Sequence, residues 1–164
     1  MNQKFTIRLA NINDLPTLED IRQKAFRPVF ASFRNILGDE IYSLAQEPED
    51  NKQDELLSSM LAPDSVWQLF VLELSPGVIG FVSVQLDNET KIGEIGLNAV
   101  HPDYSGKGFG TEMYKYAIEI MKESGMQVAT VATGGDKSHI PARRAYEKSG
   151  FDVQIPSVWM CQKL

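Results

Sequence analysis

The sequence contains very little cysteine and histidine. Cys161 is the single cysteine among 164 residues, and there are two histidines. A lone cysteine cannot close an internal disulfide, and these few side chains do not supply a spaced zinc cluster. We therefore expect neither a disulfide framework nor a bound metal.

Long apolar runs are also missing from the chain. The longest, residues 66–74, is interrupted by Gln68 and Glu73, which excludes a membrane-spanning helix. The first residues lack the apolar core that is typical of a secretory signal. These absences predict a cytoplasmic protein without a membrane partner.

Basic residues are outnumbered by acidic ones. The chain has 22 Asp and Glu against 16 Lys and Arg, which gives a net charge of -6. This sign is wrong for a protein that binds nucleic acid through its phosphates, and it favours a cationic partner instead. We expect no nucleic-acid partner.

The rest of the composition is that of an ordinary globular protein. Hydrophobic residues make up 43% of the chain and charged residues 23%. At about 150 residues per domain, the length predicts a single domain that spans residues 1–164. The chain has no internal repeat, low-complexity tract or long linker that would divide it.

The first part of the chain predicts a strand followed by helices. Residues 4–9 alternate as a strand, and apolar residues from Leu15 to Phe26 recur at helical spacing behind the cap candidate Asn13. Residues 27–37 stay unassigned, because a proline and a glycine lie at their edges.

A resemblance to a capping box at 50–53 predicts a short helix that stops at Pro63. After it the pattern becomes strand-like, with an antiparallel meander over residues 66–74, 78–86 and 91–100. The later elements are predicted in this order: a helix 108–124 closed by Gly125, a strand 128–133, a helix 138–149 closed by Gly150, and a final strand 151–164 with Cys161 in the core. Strands on both sides of two helices indicate an α+β fold.

The most informative segment, residues 100–111, joins a predicted strand to a predicted helix through VHPDYSGKGFGT. Glycines at 106, 108 and 110 let a ligand approach the backbone, and the first helical N–H groups favour an anion such as phosphate or pyrophosphate. The spacing fits neither a Walker A motif nor the dinucleotide fingerprint. An ordinary glycine turn is the alternative.

Two motifs in a fixed order narrow the range of possible functions. The first joins residues 97–102, LNAVHP, to residues 105–110, SGKGFG, and the second is residues 139–151, HIPARRAYEKSGF. From about residue 79 to 151 the chain resembles the GNAT superfamily of acetyl-CoA-dependent N-acetyltransferases. Ser105 stands where that family usually has Gln or Arg, and His139 replaces its asparagine.

The resemblance implies a single-domain GNAT-like fold, with a mixed, mainly antiparallel twisted sheet flanked by helices. Residues 1–64 would form the acceptor side and 65–164 the acetyl-CoA-binding core. The cofactor-binding residues carried over with the motifs are Asn98, Ala99, Val100, Ser105, Gly106, Lys107, Gly108, Phe109, Gly110, Thr111, His139, Ala142 and Arg143. The co-substrate implied is acetyl-CoA, with no metal.

Two side chains are expected to carry the proton transfers. An alkyl ammonium has a pKa of about 10 and must lose a proton before it attacks a thioester, and Glu94 is the carboxylate best placed in the strand for this. Tyr146 occupies the family's acid position and would protonate the departing thiolate. A backbone N–H between Asn98 and Val100 would hold the oxyanion. The alternatives are a solvated Glu94 and a packed Tyr146.

The motifs therefore predict an N-acetyltransferase that transfers acetyl directly to a primary amine of a small molecule, a peptide or a protein. One alternative is a non-catalytic GNAT-like sensor or interaction module that binds CoA without turnover. Another is a nucleotide-binding protein that would bind ATP more tightly than acetyl-CoA. The sequence leaves a homodimer open.

Overall fold

A computed structural model describes residues 4–164. Its strands form one sheet in chain order, and they are β1 (Phe5–Leu9), β2 (Trp67–Leu74), β3 (Gly77–Asp87), β4 (Ile92–Val100) and β5 (Val128–Val131). The first four strands pair antiparallel, whereas β4 and β5 are parallel. This confirms the predicted α+β class with a mixed, mainly antiparallel sheet.

Helices cover both faces of the sheet, and they are α1 (Leu15–Ile41), α2 (Glu47–Lys52), α3 (Leu56–Met60), α4 (Phe109–Glu123) and α5 (Ile140–Ser149). On one face, Phe81 and its neighbours pack against Leu18 and Ile21 of α1. On the other, Val82 packs in a cluster that includes Met113 of α4. Successive strand residues therefore serve opposite cores, as the pleat requires.

The start of α1 differs from the prediction. Asn11, rather than Asn13, is the cap. Its side-chain oxygen accepts the N–H of Asn13 at 3.0 Å, and the Asp14 carboxylate accepts the N–H of Asn11 at 2.8 Å. This capping box begins a short 3-10 turn that leads into α1. The prediction of Asn13 as the cap is therefore wrong.

The unassigned residues 27–37 are helical, and α1 runs through Pro28. The helix kinks only at Gly38, whose backbone angles are φ 75° and ψ 160°. Glycine tolerates this left-handed φ because it has no Cβ. The longer helix follows from its packing on the sheet, which local pattern does not reveal.

The predicted capping box at 50–53 is also wrong, because residues 47–52 are already helical and continue the helical residues 42–46. The Asp50 carboxylate accepts bonds from the Tyr42 hydroxyl and the Gln46 amide, both at 2.8 Å, so it does not cap a helix. The end of the segment is close to the prediction, since α3 stops at Met60, before Pro63.

The predicted strand over 151–164 does not form. These residues have no regular secondary structure, and Cys161, expected in the core, is exposed. A strand pattern specifies a face and not a partner, and this segment pairs with no strand among the described residues. None of the helices in residues 4–164 combines the length and hydropathy needed to cross a membrane.

Candidate active site

A β-bulge in β4 sets the geometry of the site. Val84 pairs with Ile95 and Val82 with Asn98, so β4 uses one more residue than β3 over this stretch. The Ser83 hydroxyl fills the irregularity by donating to the carbonyl oxygen of Leu97 at 3.0 Å. The bulge changes which residues face α4 and α5, and it brings Asn98 to that side.

The pairing of β4 with β5 ends where the bulge begins. Their parallel pairing joins residues 92–95 to 128–131 and ends there. Residues 96–100 of β4 have no β5 partner, because β5 ends at Val131, and we call the space beside this unpaired edge the β4–β5 gap. Backbone groups on this edge can bind a ligand, as the expected oxyanion contact near Asn98 to Val100 requires.

The glycine-rich loop leads into α4 with open space around its backbone. Gly106 and Gly108 have φ of 75° and 90°, and a Cβ built on either would meet nothing within 4 Å. Gly108 is the N-cap, and no side chain caps the first N–H groups of α4. Uncapped amides at the positive end of a helix suit a phosphate, so these residues fit a pyrophosphate-bearing ligand.

Tyr146 is buried beside this gap, with 6% of its surface exposed. The Asn98 amide Nδ2 donates to the Tyr146 oxygen at 3.0 Å, which leaves the phenolic proton free for another acceptor. A longer contact of 3.4 Å to Asn98 Oδ1 competes poorly, because that oxygen already accepts the Tyr114 hydroxyl at 2.7 Å. The hydroxyl of Tyr146 can therefore act as a donor.

Burial also keeps Tyr146 protonated. Desolvation raises the pKa of Tyr146 above its usual value, and hydrogen bonds with Asn98 and Tyr114 offset only part of this effect. Desolvation raises the pKa of Tyr114 as well, and the two rings lie 4.4 Å apart between centroids. Sequence reasoning missed Tyr114, because only the bulge brings Asn98 between the two phenols.

Glu94 lies on the other face of the sheet. Gly93 faces Met121 of α4, so the next side chain along β4 points toward the α1 side. There Glu94 is exposed and stands in register with Gln85 of β3 and Thr130 of β5. The structure thus places Glu94 and Tyr146 on opposite faces, with the β4–β5 gap between them.

The other predicted residues divide into two groups. Around the gap, Ala99 is buried toward α1, and Val100 packs on the opposite core. In the loop, Ser105 is exposed, and the buried Phe109 ring contacts Phe5. Gly110 and Thr111 lie in the first turn of α4. Ala142 packs beside Tyr146 on α5. Three polar members contact protein groups instead: Lys107, His139 and Arg143.

Lys107 and Arg143 donate to backbone oxygens. The Lys107 ammonium bonds the carbonyl of Asp103 at 2.8 Å and lies over the Tyr104 ring at 5.2 Å. Arg143 donates to the carbonyls of Gly134 and Asp136, the latter at 3.0 Å. Both side chains hold loops that border the gap.

Asp136 ties the loop before α5 to α1. Its carboxylate accepts the hydroxyls of Ser32 at 2.6 Å and Ser138 at 2.5 Å, and it contacts Nδ1 of His139. His139 in turn stacks on Phe33 of α1 at 5.9 Å. Burial alone would raise the pKa of Asp136, but the hydrogen bonds from Ser138, Ser32 and His139 outweigh it and hold that pKa well below its usual range.

The depressed pKa of Asp136 has a consequence for stability. A carboxyl whose pKa is lower in the folded chain stabilises the fold above its unfolded pKa, about 3.9, and loses this contribution as the pH falls. Asp136→Asn should lower the free energy of unfolding at pH 7 by about 1–3 kcal/mol. Urea unfolding should show the deficit shrinking below about pH 4. A deficit equal at pH 7 and pH 3 would contradict the role of the charge.

A cavity of about 440 Å³ lies elsewhere, and it is lined by Arg22, Gln23, Arg27, Phe30, Ala31, Arg34, Tyr42 and Asp54. It shares no residue with the β4–β5 gap. We therefore do not assign the expected cofactor residues to it. Within residues 4–164, no group of three or more His, Cys, Asp or Glu side chains could hold a metal ion.

Comparison with known proteins identifies the family of this chain. Residues 30–151 match the sequence model described as the Acetyltransferase (GNAT) family. The chain belongs to that family.

A curated relative is aminoglycoside N(6')-acetyltransferase type 1 of Klebsiella pneumoniae, 28% identical over 128 residues, which are 67% of this chain. The match spans 63% of that relative's own length.

Solved structures share the fold at low sequence identity. The PaiA N-acetyltransferase of Thermoplasma acidophilum in complex with coenzyme A has a TM-score of 0.72 and 20% identity, covering 94% of this chain and 93% of its own. A GNAT family acetyltransferase of Brucella melitensis in complex with acetyl-CoA has a TM-score of 0.64 and 17% identity. The match covers 93% of this chain and 85% of that one.

Proposed function

We propose that this chain is an N-acetyltransferase that moves acetyl from acetyl-CoA to a primary amine by direct attack. The observation that carries the proposal is the uncapped start of α4, with Gly108 at φ 90°, next to the gap where β4 leaves β5. A phosphate-bearing chain bound at that helix end can extend into the gap, where the Tyr146 hydroxyl lies. Residues 65–164 supply these parts, and residues 1–64 the acceptor side.

Acetyl-CoA would supply the activated acyl group as a thioester. The backbone amides from Lys107 to Thr111 would bind its pyrophosphate, because they are uncapped and the glycines allow close approach. His139 and Arg143 would shape the far side of the gap through the loop they hold. The two solved relatives with coenzyme A or acetyl-CoA support this choice of ligand.

Proton transfers at the two faces of the sheet balance the reaction. Glu94, directly or through a water, would take the proton that the ammonium must lose before its nitrogen attacks the carbonyl carbon. As the carbon–sulfur bond breaks, Tyr146 would donate its phenolic proton to the departing sulfur. A phenol with a raised pKa stays protonated until this step, and bulk water restores it afterwards.

A cationic small molecule is the acceptor class that we favour. The curated relative acts, by its name, on aminoglycosides, which carry several amines. The net charge of -6 attracts such cations, and Glu94 is exposed where one would approach. An amine of a peptide or protein is the other acceptor that the same chemistry would accept.

The decisive experiment is a screen of amines for release of the free thiol of coenzyme A from acetyl-CoA. Because Cys161 is exposed and would react with the thiol reagent, the screen should use Cys161→Ser or subtract an enzyme blank. We expect turnover with at least one small polyamine or aminoglycoside. Acetyl-CoA binding without thiol release from any small, peptide or protein amine would favour the non-catalytic sensor. Tighter binding of ATP would favour a nucleotide protein.

Glu94→Gln tests the base. The substitution keeps the size of the side chain but removes the proton acceptor, so turnover at neutral pH should fall by roughly 10² to 10⁴. It should recover as the pH rises toward the amine's own pKa of about 10, since free amine then forms without a base. Gln85→Glu, beside it on β3, should not restore neutral activity. If the pH–rate profile of Glu94→Gln keeps the wild-type shape, Glu94 is a solvated surface residue and not the base.

A further inference from the structure

Trp67, the first residue of β2, lies on the α1 side of the sheet, in the same row as Glu94. It stands in register with Gln85 of β3, and Gln85 stands in register with Glu94 of β4. Residues in register across a sheet share a face, so the indole, the amide and the carboxylate follow one another on the α1 side. The aromatic ring therefore belongs to the surface on which Glu94 is exposed.

The Trp67 ring reaches from β2 to the β4–β5 gap. A Cβ built on Gly96 would lie 2.5 Å and 2.6 Å from two carbons of the six-membered ring, so only glycine fits there without moving the indole. Gly96 is the first residue of β4 beyond its pairing with β5. It follows Glu94 by two residues on the same face, which is about 7 Å along a strand. The ring thus borders both the carboxylate and the gap.

The fold makes little use of this side chain. Trp67 is a half-buried aromatic residue, but it belongs to neither hydrophobic core of the described residues. Within residues 4–164 its ring pairs with no aromatic ring and no cation. In the same range, Gln53 Oε1 is the one buried side-chain polar atom without a partner, so the unpaired indole N–H reaches solvent. Trp67 therefore presents a ring and a donor that a ligand can use.

An open tryptophan beside an exposed carboxylate suits a cationic ligand. Among aromatic side chains, tryptophan attracts a cation to its face most strongly, and it also covers the neighbouring CH₂ groups of an alkyl ammonium. Glu94 on its own is a hydrated surface charge, which holds an ammonium only weakly. An anion would be repelled by Glu94, and the net charge of -6 favours a cation at longer range.

We propose that Trp67 binds the acceptor, and that its ring holds the ammonium-bearing end of a cationic small molecule beside Glu94, on the α1 side of the β4–β5 gap. The proposal rests on the proposed function, because acetyl transfer to an amine is what makes Glu94 a base. The ring would contact the acceptor equally in the ground state and in the transition state. Its loss should therefore raise the KM for the amine and leave kcat unchanged.

Kinetics with an amine found by the thiol screen test this role. Trp67→Leu should raise the KM for that amine roughly 5- to 30-fold, the factor that corresponds to a cation–π contact. Trp67→Phe keeps an aromatic face and should stay within about 3-fold of the wild type. The matched control is Gln68→Leu, exposed on the opposite face of β2, which should leave the KM unchanged. In all three variants, the rise in melting temperature caused by acetyl-CoA should persist.

A purely structural ring predicts a different result. If Trp67 only supports the bulge at Gly96, Trp67→Leu should disturb Asn98, which bonds the Gly96 carbonyl at 2.8 Å, and through it the acid Tyr146. That variant would then lose kcat and keep the wild-type KM for the amine. This outcome would overturn the proposal.

Tryptophan fluorescence measures binding without turnover. The chain has two tryptophans, Trp67 and Trp159, so the emission of Trp159→Phe comes from Trp67 alone. Spermidine and kanamycin should change that emission saturably, whereas an uncharged diol of the same chain length as spermidine should not. In Trp67→Phe, which keeps Trp159, neither amine should have an effect. If neither amine changes the emission of Trp159→Phe, or the diol changes it equally, Trp67 does not bind the ammonium.

The two experiments distinguish failure of this proposal from failure of the proposed function. A saturable fluorescence change at Trp67 without thiol release from any amine would keep the amine site and remove the acetyl transfer. Thiol release with a wild-type KM in Trp67→Leu would keep the acetyl transfer and overturn the role of Trp67.

Discussion

Tyr146→Phe is expected to lower turnover by roughly 10² to 10⁴ without weakening acetyl-CoA binding, the loss that follows removal of a general acid. The reason is the direction of the hydrogen bonds at this residue. Asn98 donates to the phenol oxygen at 3.0 Å, so the phenolic proton is available to the departing sulfur. Phenylalanine keeps the buried ring, and losing the Asn98 bond should cost about 1 kcal/mol of stability.

The measurement is the rate of thiol release with an acceptor found by the screen, under conditions where chemistry limits turnover. Tyr116→Phe is the matched control, because that ring packs against Phe70 at 5.3 Å in the core, and it should leave turnover unchanged. If Tyr146→Phe turns over as fast as the wild type at an equal melting temperature, the hydroxyl has no acid role. Tyr146 would then be a packed aromatic, and the thiolate would leave unprotonated or take a proton from water.

Gly108→Val should abolish the rise in melting temperature that acetyl-CoA causes. A ligand that binds only the folded state stabilises it by RT ln(1 + [L]/Kd), about 2.7 kcal/mol at 100 times Kd. Valine at this position would resist a φ of 90° and would place its branched side chain in the open space where the pyrophosphate is expected. Both effects act on the amides at the start of α4.

Gly125→Val is the control that separates strain from lost binding. Gly125 lies just past the other end of α4, with a similar φ of 77° and equally open surroundings. Its substitution should lower the melting temperature of the free protein through similar strain, while the shift caused by acetyl-CoA persists. If Gly108→Val folds and its ligand-induced shift in melting temperature equals that of the wild type, these amides do not bind the pyrophosphate.

The features of the candidate site that the sequence predicts best are those that depend on short stretches of chain. Residues 105–110 predict an open anion site at a helix start, and the positive φ angles of Gly106 and Gly108 agree with that expectation. Gly125 and Gly150 end their helices in the left-handed conformation, as the pattern predicts. These features depend on neighbours a few residues away, so a single sequence contains enough information for them.

Local sequence patterns do not predict how strands align across the sheet. The bulge beside Asn98 depends on how β3 and β4 align, and it alone brings Asn98 within bonding distance of Tyr114 and Tyr146. The Asp136 cluster likewise depends on Ser32, 104 positions earlier in the chain. Tyr114 and Ser32 were missed because their partners are distant in sequence.

The sequence by itself determined the class of the fold, the order of its main elements and the open glycine turn at 105–110, since periodicity, capping and glycine placement act locally. The tertiary structure alone decided the course of α1 past Pro28, the faces on which Glu94 and Tyr146 lie, and the exposure of residues 151–164. The physical reason is that a helix satisfies its backbone hydrogen bonds within itself, whereas a strand needs a partner that the local pattern does not name. Residues 151–164 have the sequence pattern of a strand, but they do not form one, because none of the described strands pairs with them.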